Sequence, residues 1–275
     1  MILSILYFLI TPYLLSYWTD FLTTWEADII ETTVMRWGVG VATLIALTPF
    51  FNLTGIPLHY ATYLLLGVAL YATAAYQYDR DITLPGSKET WIYAGVFACF
   101  VLTAVMYYNG AYAYPYLENG DPWNYAAVIN TIAEEQTYSA PFRYDHYSEP
   151  YTQGYQVFFA ILHQLNNSVY HTMKVFHQAY LSLSIIFFFF LAKRLFASYT
   201  NSSLVAGFAT FTLFVIPSWV SHFMFSLTFN MVQLLVFVYA LIKTYDDATW
   251  WPITGVLLGS IIVTHQFTAV TTLIL

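Results

Sequence analysis

The sequence holds a single cysteine, Cys99, inside an apolar run. One thiol excludes an intrachain disulfide and any CxxC-type metal site. Charge is scarce as well. Lys and Arg number 8 and Asp and Glu 15, so only 8% of the 275 residues are charged and the net charge is −7. Soluble domains carry roughly 25% charged residues. With no basic patch to displace counterions from phosphates, a nucleic-acid partner is excluded. Glycine-rich phosphate loops, Ser/His/Asp nucleophile motifs, HxxxH or HExxH pairs and calcium-loop spacings are absent too, so no metal site is indicated. The start, "MILSILYFLITPYLLSYW", has neither a basic n-region nor a small-residue cleavage site, and reads as a retained helix rather than a signal peptide.

What fills the chain is apolar and aromatic. Hydrophobic residues make up 59% and aromatics 20%, with mean hydropathy +0.60. Apolar segments recur at about 17–25 residues, the length that crosses a bilayer as helix. The expected fold is an all-α, polytopic transmembrane bundle of about eight spans: Ile2–Trp18, Val34–Phe50, Leu58–Tyr76, Trp91–Tyr108, Thr172–Ala192, Leu204–Pro217, Phe223–Ile242 and Pro252–Leu275. Trp18, Trp37, Trp91, Trp219, Trp250 and Trp251 fall at span ends, where an indole can sit at headgroup depth.

Basic residues orient this threading. With the N-terminus outside, Arg36, Arg80, Lys88, Lys193, Arg194 and Lys243 lie inside and only Arg143 and Lys174 outside, in keeping with the positive-inside bias. His59, His146, His163, His171, His177, His222 and His265 then all fall toward the outer side. The turn at Pro85-Gly86 in "YQYDRDITLPGSKET" divides a three-span leader, residues 1–78, from a second module, 79–275. The chain closes on the apolar "TAVTTLIL", and the expectation is a fragment or a gene product truncated at its C-terminus.

A long outer loop, about 109–171, breaks the apolar rhythm. Its head, "ENGDPWNYAAVINTIAEEQTY", places four carboxylates in a chain that otherwise avoids them. Asp121-Pro122 signals a helix start, Asp as N-cap and Pro in the first turn. Tyr125, Val128, Ile129 and Ile132 then form an apolar stripe, as expected of a helix lying in the membrane interface. A second short helix presents Tyr155, Phe158, Phe159, Leu162 and Leu165. Between them runs "SAPFRYDHYSEPYTQGY".

Two interfacial helices with an aromatic, charged connector resemble the first extracytoplasmic loop of the GT-C superfamily, membrane glycosyltransferases that use polyprenyl-phosphate-linked sugars. "NGDPWNYAAVINTIAEEQTY" is similar to the segment that carries the family's acidic residue. "YSEPYTQGYQVFFAIL" is similar to the family's later Tyr/Pro/Gly stretch, and "SHFMFSLTFNMVQLLVFVYAL" and "LLGSIIVTHQFTAV" look like its later spans. The resemblance covers Trp91 to Leu275; three spans precede the loop where many members have one.

The resemblance implies a multi-pass protein of the cell membrane acting on its extracytoplasmic side. A sugar would pass from a polyprenyl-phosphate donor to a glycan, lipid or protein acceptor, with Asp121 as general base. Glu149 would be a second acid, though an exposed loop charge explains it slightly better. Arg143 and Lys174 would hold the leaving phosphate, a position that attraction to anionic membrane lipids also explains. His265, about 20 Å along its span from Pro252, reaches phosphate depth, or serves interhelical hydrogen bonding. Tyr151 and Trp123 would contact the sugar. No organic cofactor is implied; some members of the family use a divalent ion. Two other classes stand beside this one: a transporter or flippase-like protein, which intramembrane His265 would suit but which usually shows half-repeats, and a non-catalytic assembly subunit. Sequons at Asn52-Leu-Thr and Asn166-Asn-Ser lie outside on this threading.

Overall fold

A computed structural model of the chain describes residues 1–77, 83–117, 120–139, 153–198, 201–215, 226–265 and 270, the side chains of 211–215 excepted. Among them every regular element is helical: α1 Ile2–Leu15, α2 Ile29–Thr54, α3 Tyr60–Gln77, α4 Ser87–Ala113, α5 Gly120–Glu135, α6 Gly154–His163, α7 Val169–Ser182, α8 Ser184–Leu195, α9 Ser202–Val215, α10 Ser226–Asp246 and α11 Trp251–Thr264, with 3₁₀ turns at Ser16–Phe21 and Ala248–Trp250.

Five stretches are long and apolar enough to cross a membrane: Ile2–Phe21, Ile29–Thr54, Ser87–Ala113, Val169–Leu195 and Ser226–Asp246. The chain is thus a multi-pass helical membrane protein by length and composition. The other three expected spans are helices too, but α11 has 14 residues. At 1.5 Å per residue such a helix measures about 21 Å, short of a hydrocarbon core of about 30 Å. α11 ends at Thr264, where the expected span ran on to Leu275.

α2 is the central helix. Asp28 caps it, accepting from the amides of Ile30 at 3.0 Å and Glu31 at 3.1 Å. Gly55, at φ +72°, closes it in the left-handed conformation that glycine adopts freely. It packs on α1, α6, α8, α10 and α11. The leader's helices therefore share one core with the rest. The α1–α2 crossing depends on a missing side chain: a Cβ at Gly40 would stand 1.6 Å from the carbonyl oxygen of Pro12. Trp37 and Trp250, expected at headgroup depth, are instead buried in the packing, the Trp37 indole donating to Phe8 O at 3.0 Å. Trp91 and Trp251 are exposed.

Hydrogen bonds define two ends. At one, Ser4 Oγ meets Leu165 O at 3.0 Å and Tyr7 Oη meets Tyr60 O at 3.1 Å. At the other, Lys193 Nζ contacts Glu31 Oε2 at 2.9 Å, Asp28 Oδ2 at 3.2 Å and Tyr93 Oη at 2.7 Å, tying α8 to α2 and α4. Tyr239 adds α10 by donating to Glu31 Oε1 at 2.8 Å. Arg36 pairs with Asp20 between the rings of Tyr17 and Trp25, and Arg194 pairs with Asp246. Arg36, Lys193, Arg194 and Lys243 thus gather at one end of the bundle and Lys174 at the opposite one; Arg80 and Arg143 lie outside the described residues.

Candidate functional site

α5 lies across the end opposite the Lys193 network. It starts at Gly120, so Asp121 sits within the first turn rather than at the N-cap, where a carboxylate still faces the positive end of the helix dipole. Asp121 is exposed and Trp123 is 49% exposed. The buried stripe is Pro122, Ala126, Ile129 and Ile132, while Tyr125 and Val128 are half-covered. The expected stripe is thus rotated by part of a turn, because Pro122 and Ala126 do the packing at the start of the helix.

α5 is held firmly at its C-terminus. Gln136, at φ +58°, turns the chain so that its carbonyl accepts from Leu58 N at 2.8 Å. Asn52 Oδ1 accepts from Thr137 Oγ1 at 2.6 Å and Tyr138 N at 3.0 Å, while Nδ2 donates to Ser139 Oγ at 2.5 Å. Gln164 joins the same clasp, donating to Leu58 O at 2.9 Å and accepting from Tyr60 N at 2.8 Å.

α6 departs from its expected character. Every residue from Gly154 to Leu162 is buried, so it is a plug within the bundle rather than a one-sided surface helix. Its length explains this: ten residues of nearly continuous apolar sequence fit between α2, α5, α7 and α11 with no polar face to present to water. Gly154 makes the fit, since a Cβ there would stand 2.8 Å from Val263 O. At its far end, burial draws the His163 pKa below the usual histidine value, against the pull of Glu134.

Beneath α5 and α6 runs a buried polar chain that sequence reasoning did not isolate. Tyr155 Oη lies 3.3 Å from His177 Nδ1, and Thr228 Oγ1 lies 3.2 Å from His177 Nε2. The Tyr155 ring also packs at 5.3 Å against that of Tyr125 in α5. His177 had entered only as one of several outer-side histidines. Partners distant in sequence leave no local spacing signal.

Lys174 is fully buried, and its ammonium donates to the carbonyls of Ala111 at 2.5 Å and Tyr114 at 2.6 Å, beside the rings of Tyr112 and Tyr170. Here it caps the C-terminus of α4, a different task from the phosphate contact expected of it. His265 is half-buried and not helical: it follows the last turn of α11 with extended backbone, φ −159°, its amide donating to Ile261 O at 3.0 Å. Glu149, Arg143 and Tyr151 lie outside the described residues, as do His146 and His222. The structure therefore packs α5 through Tyr125 onto the Tyr155–His177 pair, with Lys174 at a helix cap and His265 at a helix end. No group of three or more His, Cys, Asp or Glu side chains able to hold a metal ion occurs among the described residues.

Among the helices α1, α2, α4, α7 and α8 lies a cavity of about 480 Å³. Phe8, Trp37, Phe100, Phe176 and Phe187 are among its walls, and Tyr13 and Thr33 carry its hydroxyls. Ile5 and Leu9, also lining it, are 39% and 54% exposed, so it opens sideways. Along α7 and α8 the lining runs from Val175 to Phe187, a rise of about 18 Å at 1.5 Å per residue. No protein family, curated protein or solved structure matches the chain.

Proposed function

We propose that the chain is a GT-C-like membrane glycosyltransferase, threaded eight times through the cell membrane, with α5 on the extracytoplasmic side. The observation that carries this reading is the pairing of a side-open apolar groove with an acid-bearing helix over one end of the same bundle. The groove occupies the middle of the Val169–Leu195 span, running about 10 Å to one side of its centre and about 8 Å to the other. An ordinary acyl chain ends near the midplane of a hydrocarbon core about 30 Å thick. An occupant of the whole groove is longer, as a polyprenyl chain is.

The chemistry follows from a sugar carried on such a lipid. Asp121 takes the acceptor's proton while the acceptor oxygen bonds to the anomeric carbon and the polyprenyl phosphate leaves. One displacement inverts the anomeric centre, as in carboxylate-assisted glycoside chemistry. General-base assistance contributes roughly 10²–10⁴-fold. Glu149 is the second acid, Arg143 the cation for the phosphate, and Trp123 and Tyr151 contact the sugar. Lys174 supports the site by fixing the end of α4, and His265 borders it from α11.

A second reading, transport of a polar solute, draws on one observation: α11 stops at Thr264 with His265 extended, the kind of interrupted helix that transporters use at binding sites. Membrane vesicles containing the full chain, given labelled polyprenyl-phosphate sugars, separate the two. The expected result is acceptor labelling that Asp121→Asn abolishes with insertion intact. Labelling at wild-type rate by Asp121→Asn removes the base, and sugar flux with no transfer favours transport.

A further inference from the structure

We propose that His177 is a positioning residue for the acid-bearing helix, fixing through Tyr155 where the start of α5 stands over the bundle. The inference deepens the glycosyltransferase reading and rests on it only for its catalytic consequence.

The argument starts from where polar groups are placed. Tyr155 and His177 expose no surface and Thr228 is 7% exposed. Burying hydroxyls and an imidazole is unfavourable unless each finds a partner, and an apolar trio would fill the same volume without that requirement. Both ring nitrogens of His177 are instead engaged, by α6 on one side and α10 on the other. A neutral imidazole has one N–H and one acceptor nitrogen. The chain therefore runs in one sense at a time, either from Tyr155 toward Thr228 or the reverse. Either sense holds the phenol oxygen of Tyr155 in place.

What Tyr155 supports lies above it. Its ring meets Tyr125 at 5.3 Å and Phe229 edge-on at 5.6 Å, so it is clamped between α5 and α10. Tyr125 follows Asp121 by four residues, one helical turn, and shares its face. The far end of α5 is tied down by the Asn52 and Gln164 clasp. The Asp121 end packs through Pro122, Ala126 and Tyr125. A change in the Tyr155 ring therefore reaches the Asp121 turn through Tyr125.

The test uses the full chain in lipid nanodiscs with Cys99→Ala and Trp123→Cys, and reads the rate at which a charged methanethiosulfonate reagent labels the thiol at position 123. His177→Ala is expected to change that rate several-fold. His177→Gln, whose amide supplies a donor and an acceptor, is expected to restore it. Tyr155→Phe keeps the ring, loses only the hydroxyl, and is expected to move the rate in the same direction as His177→Ala; it carries the test alone if His177→Ala fails to insert. With Trp123 intact, the same His177 variants are expected to lower kcat for sugar transfer while leaving donor affinity unchanged. A labelling rate that ignores both His177→Ala and Tyr155→Phe overturns the proposal, as does failure of His177→Gln to restore it. If Asp121→Asn retains transfer, the glycosyltransferase reading fails while the labelling arm still decides the role of His177.

Discussion

Lys174 donates to the carbonyl oxygen of Ala111 at 2.5 Å, and neither residue exposes any surface. Together with the bond to Tyr114 O, this places a cation at the C-terminus of α4, where the last carbonyls lack helical partners and the dipole is negative. Lys174→Met removes the donor and leaves two carbonyls unsatisfied, each worth about 1–3 kcal/mol when buried. The expected outcome is a clear fall in thermal midpoint in detergent, with Lys174→Arg falling less. Equal midpoints for wild type and Lys174→Met would show that water replaces the ammonium and that the cap contributes nothing.

Gly40 allows the closest approach of two helices in the bundle that its glycines record. A Cβ placed there falls 1.6 Å from backbone, the carbonyl oxygen of Pro12, which no rotamer change relieves. Overpacking typically costs about 1–3 kcal/mol and more when backbone must move. Gly40→Ala is expected at or above the top of that range, read as loss of monodisperse protein on size exclusion. Gly259→Ala in α11, where a Cβ meets nothing within 4 Å, is the control and should behave as wild type.

Acid should loosen the Lys193 end first. Burial pushes the Asp28 carboxyl up, but the Tyr93 hydroxyl, the Glu31 amide and Lys193 outweigh it, leaving the pKa below the ordinary value. An unfolded Asp titrates near 3.9. A depressed folded value means that Asp28 stabilises the fold fully above about pH 4 and loses this as pH falls through the folded pKa. Stability in detergent should therefore drop on acidification below about pH 4, and less steeply in Asp28→Asn. Parallel acid profiles for the two proteins would remove Asp28 as the cause. Lys193→Met should cost more than Asp28→Asn, because it leaves both Asp28 and Glu31 without their cation.

Helix positions were legible because apolar run length is a local property. Each of the eight expected spans has a helix at its place, and Asp121-Pro122 marks the start of α5 to within two residues. The two-ended distribution of Arg36, Lys193, Arg194 and Lys243 against Lys174 was also legible, since helix alternation fixes it. What could not be read was partnership. Nothing near Lys174 in sequence says that it will meet Ala111 and Tyr114, and nothing near His177 names Tyr155 and Thr228. The burial of α6 on all sides depends on the groove that its neighbouring helices leave for it. Trp37 shows the same limit: an indole near a helix start reads as an interface anchor until Phe8 packs against it at 4.9 Å.

Asn52 sits in a glycosylation sequon, and the structure gives its amide another use. All three of its hydrogen bonds go to residues 137–139, so a sugar on Nδ2 would crowd Ser139 and the clasp at the end of α5. Two variants separate the roles. Thr54→Ala destroys the sequon but touches none of those bonds, and is expected to change the mass only by the substitution itself and to leave melting behaviour unchanged when the chain is made in a glycosylating host. Asn52→Ala removes all three bonds and exposes the Tyr138 amide to loss of its acceptor, a cost of about 1–3 kcal/mol if that amide stays buried. Asn52→Asp keeps the acceptor for Thr137 and Tyr138 and gives up only the donation to Ser139, so it should fall between wild type and Asn52→Ala. A glycan found on Asn52 by mass spectrometry in folded protein would show instead that the clasp leaves room for a sugar beside Ser139.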